Sequence, residues 1–142
     1  MAAPAVADFY FRTLVSYVAP PVWATTSIGV IIHRSDAGYD FIDIRPGNCL
    51  VALNTLNSKT SAVATLNVKN ACQTGSQLKS LPSFVLTVVG SNNQFTVYVN
   101  DIKEAVLADT AKSYTSGALG IYSISSQTNG FNVAFTDIAV GQ

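Results

Sequence analysis

The chain has 142 residues, of which 49% are hydrophobic and only 11% are charged, and its formal net charge is zero. A chain of this length forms one domain and can bury a core without a metal or several disulfides. Its eight basic residues form no stripe that could neutralise phosphates, so nucleic acid is not an expected partner. The longest apolar stretches are no longer than a strand, so we expect no membrane insertion.

Serine, threonine and asparagine take the place of charged residues, which make up about 25% of an average chain. This composition is typical of β-rich extracellular domains, and it predicts an extracellular or cell-surface location. Residues 1–7 lack the charged start and apolar centre of a full signal peptide. We interpret them as an N-terminal tail of a single domain that spans residues 1–142.

Apolar and polar residues alternate with period two along most of the chain, which indicates strands. The first run covers residues 8–18 and is broken by Ala19-Pro20-Pro21, because proline removes donors from a strand ladder. Residues 28–34 and 39–45 are predicted to form a hairpin around a tight turn at Ser35-Asp36-Ala37-Gly38. A further strand is predicted at residues 49–53.

Residues 54–82 carry the weakest pattern, with residues 62–68 as the best strand candidate and a loop around residues 73–80. The last third is regular, and its predicted strands are 83–89, 94–100, 103–108, 117–123 and 131–140, with turns at residues 90–93 and 100–101. A turn or two of helix near residues 101–107 is the alternative to the strand at 103–108. Roughly ten to twelve short strands predict an all-β fold, a two-sheet antiparallel jelly-roll sandwich. The side chains expected in its core are Phe84, Leu86, Phe95, Val97, Val99, Leu119, Ile121, Phe131, Val133 and Phe135.

The order of motifs in the second half resembles the concanavalin A-like lectin/glucanase superfamily, in its laminin-G-like or bacterial carbohydrate-binding module form. The motifs are 84–90 (FVLTVVG), 95–101 (FTVYVND), 117–122 (GALGIY) and 131–140 (FNVAFTDIAV), and the hairpin 28–45 is also similar. The resemblance implies a sandwich fold. It does not choose a function, because the superfamily contains lectins, carbohydrate-binding modules, glycoside hydrolases and adhesion domains.

The sequence offers no recognisable catalytic set. Glycosidases use two carboxyl groups, and the glucanases of that superfamily carry two glutamates and an aspartate on one strand, whereas this chain has Glu104 as its single glutamate. Asp40 and Asp43 are three residues apart and so face opposite sides of a strand. His33 is the single histidine, and no Gly-x-Ser-x-Gly elbow is present. We therefore predict that the chain is not an enzyme.

The two cysteines, Cys49 and Cys72, predict a disulfide if the protein is extracellular, with two small buried thiols as the alternative. No cofactor is expected. A structural calcium ion is left open, with Asp8, Asp109 and Asp137 as the candidate ligands.

Residues suited to sugar recognition gather near the 28–45 hairpin, because aromatic faces stack on sugar C–H groups and polar side chains bind hydroxyls. The candidate carbohydrate-binding residues are Trp23, His33, Arg34, Tyr39, Asp43, Arg45 and Tyr98. His33 and Arg34 are neighbours on one strand, so only one of this pair can point outward. Alternation points Ile42 and Ile44 inward and leaves Phe41, Asp43 and Arg45 outside. The site further requires that the strand bearing Tyr98 lies in the same sheet as the hairpin.

Simpler interpretations stay open at this point. Trp23 can be a core residue, Asp43 and Arg45 can be a plain ion pair, and Tyr98 can be a surface tyrosine chosen for strand propensity. The sequence favours a non-catalytic extracellular carbohydrate-binding or adhesive module whose partner is a glycan or polysaccharide. The alternatives are a structural, self-assembling or protein-binding subunit and, third, a glycoside hydrolase-like enzyme.

Overall fold

The computed structural model describes residues 8–17, 26–45, 50–57, 63–70, 83–109, 116–125 and 132–141. Within these ranges the chain forms ten strands: β1 (Phe9–Tyr17), β2 (Thr26–Ser35), β3 (Gly38–Arg45), β4 (Leu50–Asn57), β5 (Val63–Asn70), β6 (Ser83–Ser91), β7 (Gln94–Val99), β8 (Ile102–Ala108), β9 (Ala118–Ser125) and β10 (Val133–Gly141). These residues contain no helix that is long and apolar enough to cross a membrane.

The strands form two five-stranded sheets that pack face to face. The first sheet has the order β10-β1-β6-β7-β8, and the second has the order β5-β4-β3-β2-β9. All neighbouring strands are antiparallel. One apolar cluster contains side chains from both sheets. The predicted all-β, two-sheet jelly-roll sandwich is therefore confirmed.

The core follows from the alternation along each strand, since successive side chains point to opposite faces. In β7, the inward side chains of Val97 and Val99 are 0% and 1% exposed. Five of the predicted core residues are buried, namely Phe84, Leu86, Phe95, Val97 and Val99. Leu119, Ile121, Val133 and Phe135 are partly buried and pack against that cluster. The tenth predicted core residue, Phe131, lies outside the described residues.

Two tight turns fix the register of β6, β7 and β8. Asn92 and Asn93 have φ angles of 51° and 58°, and Asn100 and Asp101 have φ angles of 50° and 64°. Positive φ at both central residues is the mark of the type I′ hairpin turn, which asparagine and aspartate tolerate better than most residues do. Both turns were expected from the sequence. The interpretation of residues 103–108 as strand rather than helix is also confirmed.

The least regular stretch of sequence contains more strand than the alternation pattern predicted. The strand expected at residues 49–53 extends to Asn57 as β4. The candidate at residues 62–68 corresponds to β5, which pairs with β4 at the edge of the second sheet. The loop predicted around residues 73–80 lies outside the described residues.

Candidate functional site

The candidate site lies on the outer face of the second sheet, which is the face turned away from the core. In β3, Ile42 and Ile44 are buried against the first sheet, so Tyr39, Phe41, Asp43 and Arg45 point outward. The sequence predicted this orientation of β3. The neighbouring strands β2 and β9 bring further side chains to the same face.

A surface pocket with a volume of about 130 Å³ is lined by Ile31 of β2, Tyr39 and Phe41 of β3, and Tyr122 and Ile124 of β9. The rings of Phe41 and Tyr122 are nearly perpendicular, with centroids 5.5 Å apart. The rings of Tyr39 and Phe41 are tilted, with centroids 5.9 Å apart. We call these five residues the aromatic pocket.

A glycine allows the Tyr122 ring to lie across the sheet. Gly29 of β2 is the register partner of Tyr122 in β9. A Cβ atom at position 29 would lie 2.9 Å from Cε1 of Tyr122 and would overlap the carbonyl oxygen of Ile42. No other residue type leaves room for the ring at this place. Gly29 therefore sets the position of one pocket wall.

Asp43 accepts hydrogen bonds from two side chains next to the pocket. Its Oδ1 accepts a hydrogen bond from the Tyr122 hydroxyl at 2.7 Å, and its Oδ2 accepts one from Nε of Arg45 at 2.5 Å. Burial, and after it the charge and hydrogen bond of Asp43, raises the pKa of Tyr122 far above its ordinary value. The Tyr122 hydroxyl thus stays protonated and directed at Asp43, away from the pocket.

The predicted exposure of Asp43 is wrong. Its carboxylate faces outward but is only 1% exposed, because Tyr122 from β9 and Arg45 lie against it. Asp43 therefore positions its neighbours and does not itself reach a ligand. The Arg45 side chain is 49% exposed, and its Nη groups make no hydrogen bond within the described part of the chain. Arg45 is the polar side chain of this group that is available to a ligand.

The proposed contact of His33 with a ligand is wrong, because a bulge turns its side chain into the core. His33 has a φ angle of 52°, at a shift of register between Ile32 and Ser35. Both Ile32 and His33 consequently point inward, which strict alternation excludes. The ring of His33 is fully buried and contacts the rings of Phe9 and Phe95, with centroids 6.5 and 5.6 Å away.

The core also contains a small polar network around His33. Its Nδ1 lies 3.4 Å from Oδ2 of Asp40, and the hydroxyl of Thr55 donates to Oδ1 of Asp40 at 2.7 Å. His33 and Asp40 are both fully buried. This network joins β2, β3 and β4 from the inside, so it is a structural feature and not part of the outer face. Arg34 is the exposed member of the His33–Arg34 pair, but it does not line the aromatic pocket.

Tyr98 lies on the other sheet, and the prediction that it shares a platform with Arg45 is wrong. Tyr98 belongs to β7 and is paired with Thr87 of β6 in the first sheet, whereas Arg45 is in the second. The alternation correctly points Tyr98 away from the core, but alternation carries no information about which distant strands pair. Trp23, Cys49 and Cys72 lie outside the described residues, and the roles predicted for them stay predictions.

The three candidate calcium ligands are not gathered at one place. Asp8 accepts a hydrogen bond from the backbone nitrogen of Asn92 at 3.1 Å, and the backbone nitrogen of Asp109 donates to the carbonyl of Asn93 at 2.9 Å. Asp137 lies instead at the bulge of β10, with a φ angle of 51°. In the described ranges no group of three or more His, Cys, Asp or Glu residues could hold a metal ion.

The sequence interpretation missed four of the five pocket residues, which are Ile31, Phe41, Tyr122 and Ile124. Alternation had already placed Phe41 on the outer face, and it could have placed Tyr122 there because Leu119 and Ile121 point inward. The pairing of β2 with β9, which brings these residues together, had no signal in the sequence.

No protein-family model matches this sequence, and no curated protein is similar to it in sequence. Solved structures are similar in fold. A carbohydrate-binding module of family 66 from Bacillus subtilis has a TM-score of 0.70 and 9% identity, over 99% of this chain and 78% of that one. Sheep galectin-11 in complex with glycerol has a TM-score of 0.66 and 11% identity, over 99% and 94%.

A third similar structure is congerin II liganded with lactose and MES, with a TM-score of 0.57 and 13% identity over 94% of this chain and 90% of that one. At such low identity these similarities show the fold alone. The fold is the concanavalin A-like, lectin-type jelly roll, and the resemblance seen in the sequence is confirmed at that level.

Proposed function

We propose that this chain is a non-catalytic carbohydrate-binding module that binds a saccharide on the outer face of the second sheet. The observation that carries the proposal is the aromatic pocket, with three rings in its wall and the half-exposed Arg45 guanidinium beside it. Aromatic rings offer surface to sugar C–H groups, and a guanidinium offers paired donors to hydroxyls or a carboxylate. The fold that the chain shares with a carbohydrate-binding module and with lactose-liganded congerin II supports the same function.

The absence of catalysis is part of the proposal. Glycosidases need two carboxyl groups on either side of the bond that breaks. Among the described residues of the outer face, Asp43 is the one carboxylate near the pocket, and both of its oxygens already accept hydrogen bonds. We therefore expect saccharides to be bound and released unchanged, as chromatography of the recovered ligand would verify.

We also propose that the module acts outside the cell or at its surface. The low charge and the hydroxyl-rich composition support this location. A single shallow site of this kind gives weak binding, with a Kd of about 10⁻⁵ to 10⁻³ M, because little affinity remains after the ligand is immobilised. Adhesion would then depend on several copies of the module or of the glycan.

The test is a glycan array followed by calorimetry with the best-bound saccharide. We expect Arg45→Ala to weaken binding at least tenfold, because a charge-assisted hydrogen bond contributes about 1.5–3 kcal/mol. Arg45→Lys keeps a positive charge next to Asp43 but loses the paired donors, and it should also bind more weakly. Lys103→Ala removes one cation from the first sheet and is the matched control.

The melting temperature of each variant separates loss of binding from loss of folding. If the wild-type protein binds no saccharide on the array, the proposed function is wrong. If Arg45→Ala folds and binds as the wild type does, the ligand lies elsewhere on the molecule.

Assembly through an edge strand is the second candidate function. Strand β10 is an edge of the first sheet, Ile138 and Val140 on it are each 53% exposed, and Asp137 is its single charged residue. An edge strand with exposed apolar side chains and a single charge favours pairing with another strand. Light scattering decides between the candidates, since a dimer that dissociates in Ile138→Lys supports assembly and a wild-type monomer at high concentration excludes it.

A further inference from the structure

We propose that the aromatic pocket holds a methyl-bearing substituent of the saccharide, an acetamido group or a deoxy-sugar methyl, and not a hydroxylated sugar ring. This inference rests on the proposed function and names the chemical class of its ligand. It follows from the composition of the pocket wall, from its volume and from the polar groups next to it.

The wall of the pocket offers little to a hydroxyl group. Ile31, Phe41 and Ile124 carry no polar side-chain atom, and the hydroxyl of Tyr122 is already donated to Asp43 at 2.7 Å, which leaves Tyr39 as the one lining residue with a further hydroxyl. A sugar hydroxyl that entered would leave its water partners for an apolar surface, which is unfavourable. A methyl group in the same place would give up no hydrogen bonds to water and would gain van der Waals contacts.

The volume points to a substituent and not to a whole ring. An apolar cavity of about 150 Å³ holds benzene, and the aromatic pocket has about 130 Å³. An acetamido group is smaller than benzene, whereas a hexopyranose with its hydroxyls is considerably larger. The sugar ring would therefore lie over the open side of the pocket, next to the 61% exposed Ile124.

Arg45 supplies the polar complement at the edge of the pocket. Its Nε and the Tyr122 hydroxyl bind the two oxygens of one carboxylate, so Asp43 holds the guanidinium near the Tyr122 wall of the pocket. An acetamido group presents a methyl group and a carbonyl acceptor close together. The methyl would enter the pocket while the carbonyl accepts a hydrogen bond from an Nη group of Arg45. A deoxy-sugar would use the methyl contact alone.

The experiment compares methyl glycosides that differ in one substituent, by calorimetry and by NMR. The acetamido arm pairs N-acetylglucosamine with glucose and N-acetylgalactosamine with galactose, and the deoxy arm pairs L-fucose with L-galactose. Burial of one methyl group predicts a preference of at least about fourfold for the substituted sugar. The NMR experiment should show contacts from that methyl to the rings of Phe41 and Tyr122.

Ile31→Thr places a hydroxyl in the pocket wall and keeps a β-branched residue on the strand. We expect this variant to bind the substituted sugar and its parent with about equal affinity. Ile102→Thr makes the same change at an exposed site on the first sheet and should leave the preference intact. A preference in only one arm shows whether the pocket binds the methyl group of an acetamido sugar or that of a deoxy-sugar.

The outcomes separate the two proposals. If each substituted sugar and its parent bind equally well to the wild type, the methyl-binding inference is wrong while carbohydrate binding stands. If a preference exists but Ile31→Thr retains it in full, the substituent lies outside this pocket and the inference is again wrong. If none of these sugars binds and the glycan array also shows no binding, both proposals are wrong.

Discussion

Asp43 determines the chemistry of the candidate site although no ligand can reach it. Its two oxygens accept hydrogen bonds from Tyr122 and Arg45, so one buried carboxylate orients two side chains from different strands. A buried charge is costly unless it is paired and hydrogen-bonded, and here both conditions are met. The arrangement turns the phenol of Tyr122 into an apolar wall and leaves part of the Arg45 guanidinium for a ligand.

The raised pKa of Tyr122 predicts alkaline destabilisation. An unfolded tyrosine ionises near pH 10, whereas Tyr122 in the folded protein keeps its proton above that pH. Its contribution to stability is thus fully present below about pH 10 and is lost as the pH rises further, by up to about 1.4 kcal/mol per pH unit. Urea unfolding between pH 8 and pH 11 should show this loss.

Tyr122→Phe is the comparison for that measurement. The variant should be less stable than the wild type at neutral pH by about 1–3 kcal/mol, because Oδ1 of Asp43 loses its donor. Its stability should nevertheless fall less steeply above pH 10. Burial also raises the pKa of Tyr17, so a residual slope is expected in the variant. Equal slopes in the two proteins would contradict the assignment to Tyr122.

The pairing of β2 with β9 creates the pocket, and its two glycines have different roles. Gly29 lies under the Tyr122 ring and against the backbone of Ile42, where a Cβ has no space. Gly120 is the register partner of Ile31, and a Cβ there would lie 3.5 Å from Cβ of Ile31, an ordinary contact distance. A glycine-to-alanine change at each position therefore tests how closely β2 and β9 pack on the outer face of the second sheet.

We expect Gly29→Ala to lower the free energy of unfolding by about 3 kcal/mol, because the added methyl forces the backbone or the Tyr122 ring to move. Gly120→Ala should change it by less than about 1 kcal/mol, since alanine fits and a strand does not need the glycine. Urea denaturation measures both. A neutral Gly29→Ala would mean that neither the Ile42 backbone nor the Tyr122 ring lies where the structure has it.

The sandwich as a whole is closed differently at its two sides. On one side β5 and β4 of the second sheet contact β8 of the first. On the other side, side chains of β9 and β10 that pack against the core, such as Ile121, are only partly buried. The ladder between β4 and β5 ends with the pair Leu50 and Asn70. Cys49 directly precedes Leu50, and Cys72 follows Asn70 by two residues.

Both cysteines lie outside the described residues, so the disulfide between Cys49 and Cys72 stays a prediction of the sequence. A bridge would require their Cα atoms to be less than about 7 Å apart. In native, never-reduced protein we expect no thiol to react with Ellman's reagent. Reduction, or the double change to serine, should lower stability by roughly 3 kcal/mol. Two titratable thiols would contradict the prediction.

The sequence by itself determined the fold class, the strands of the second half, the turns at Asn92-Asn93 and Asn100-Asp101, and which side chains of β3 point outward. These features are local, since alternation and turn chemistry depend on residues that are near one another in the chain. It could not determine that Tyr98 and Arg45 lie on different sheets, that a bulge turns His33 inward, or that Tyr122 covers Asp43. The first and the last of these depend on which distant strands pair, and the hydrogen bonds that join strands are made by the backbone and are alike for every sequence. The bulge is a shift of register that β2 shows against both β3 and β9. The tertiary structure alone therefore decided which side chains share the candidate site.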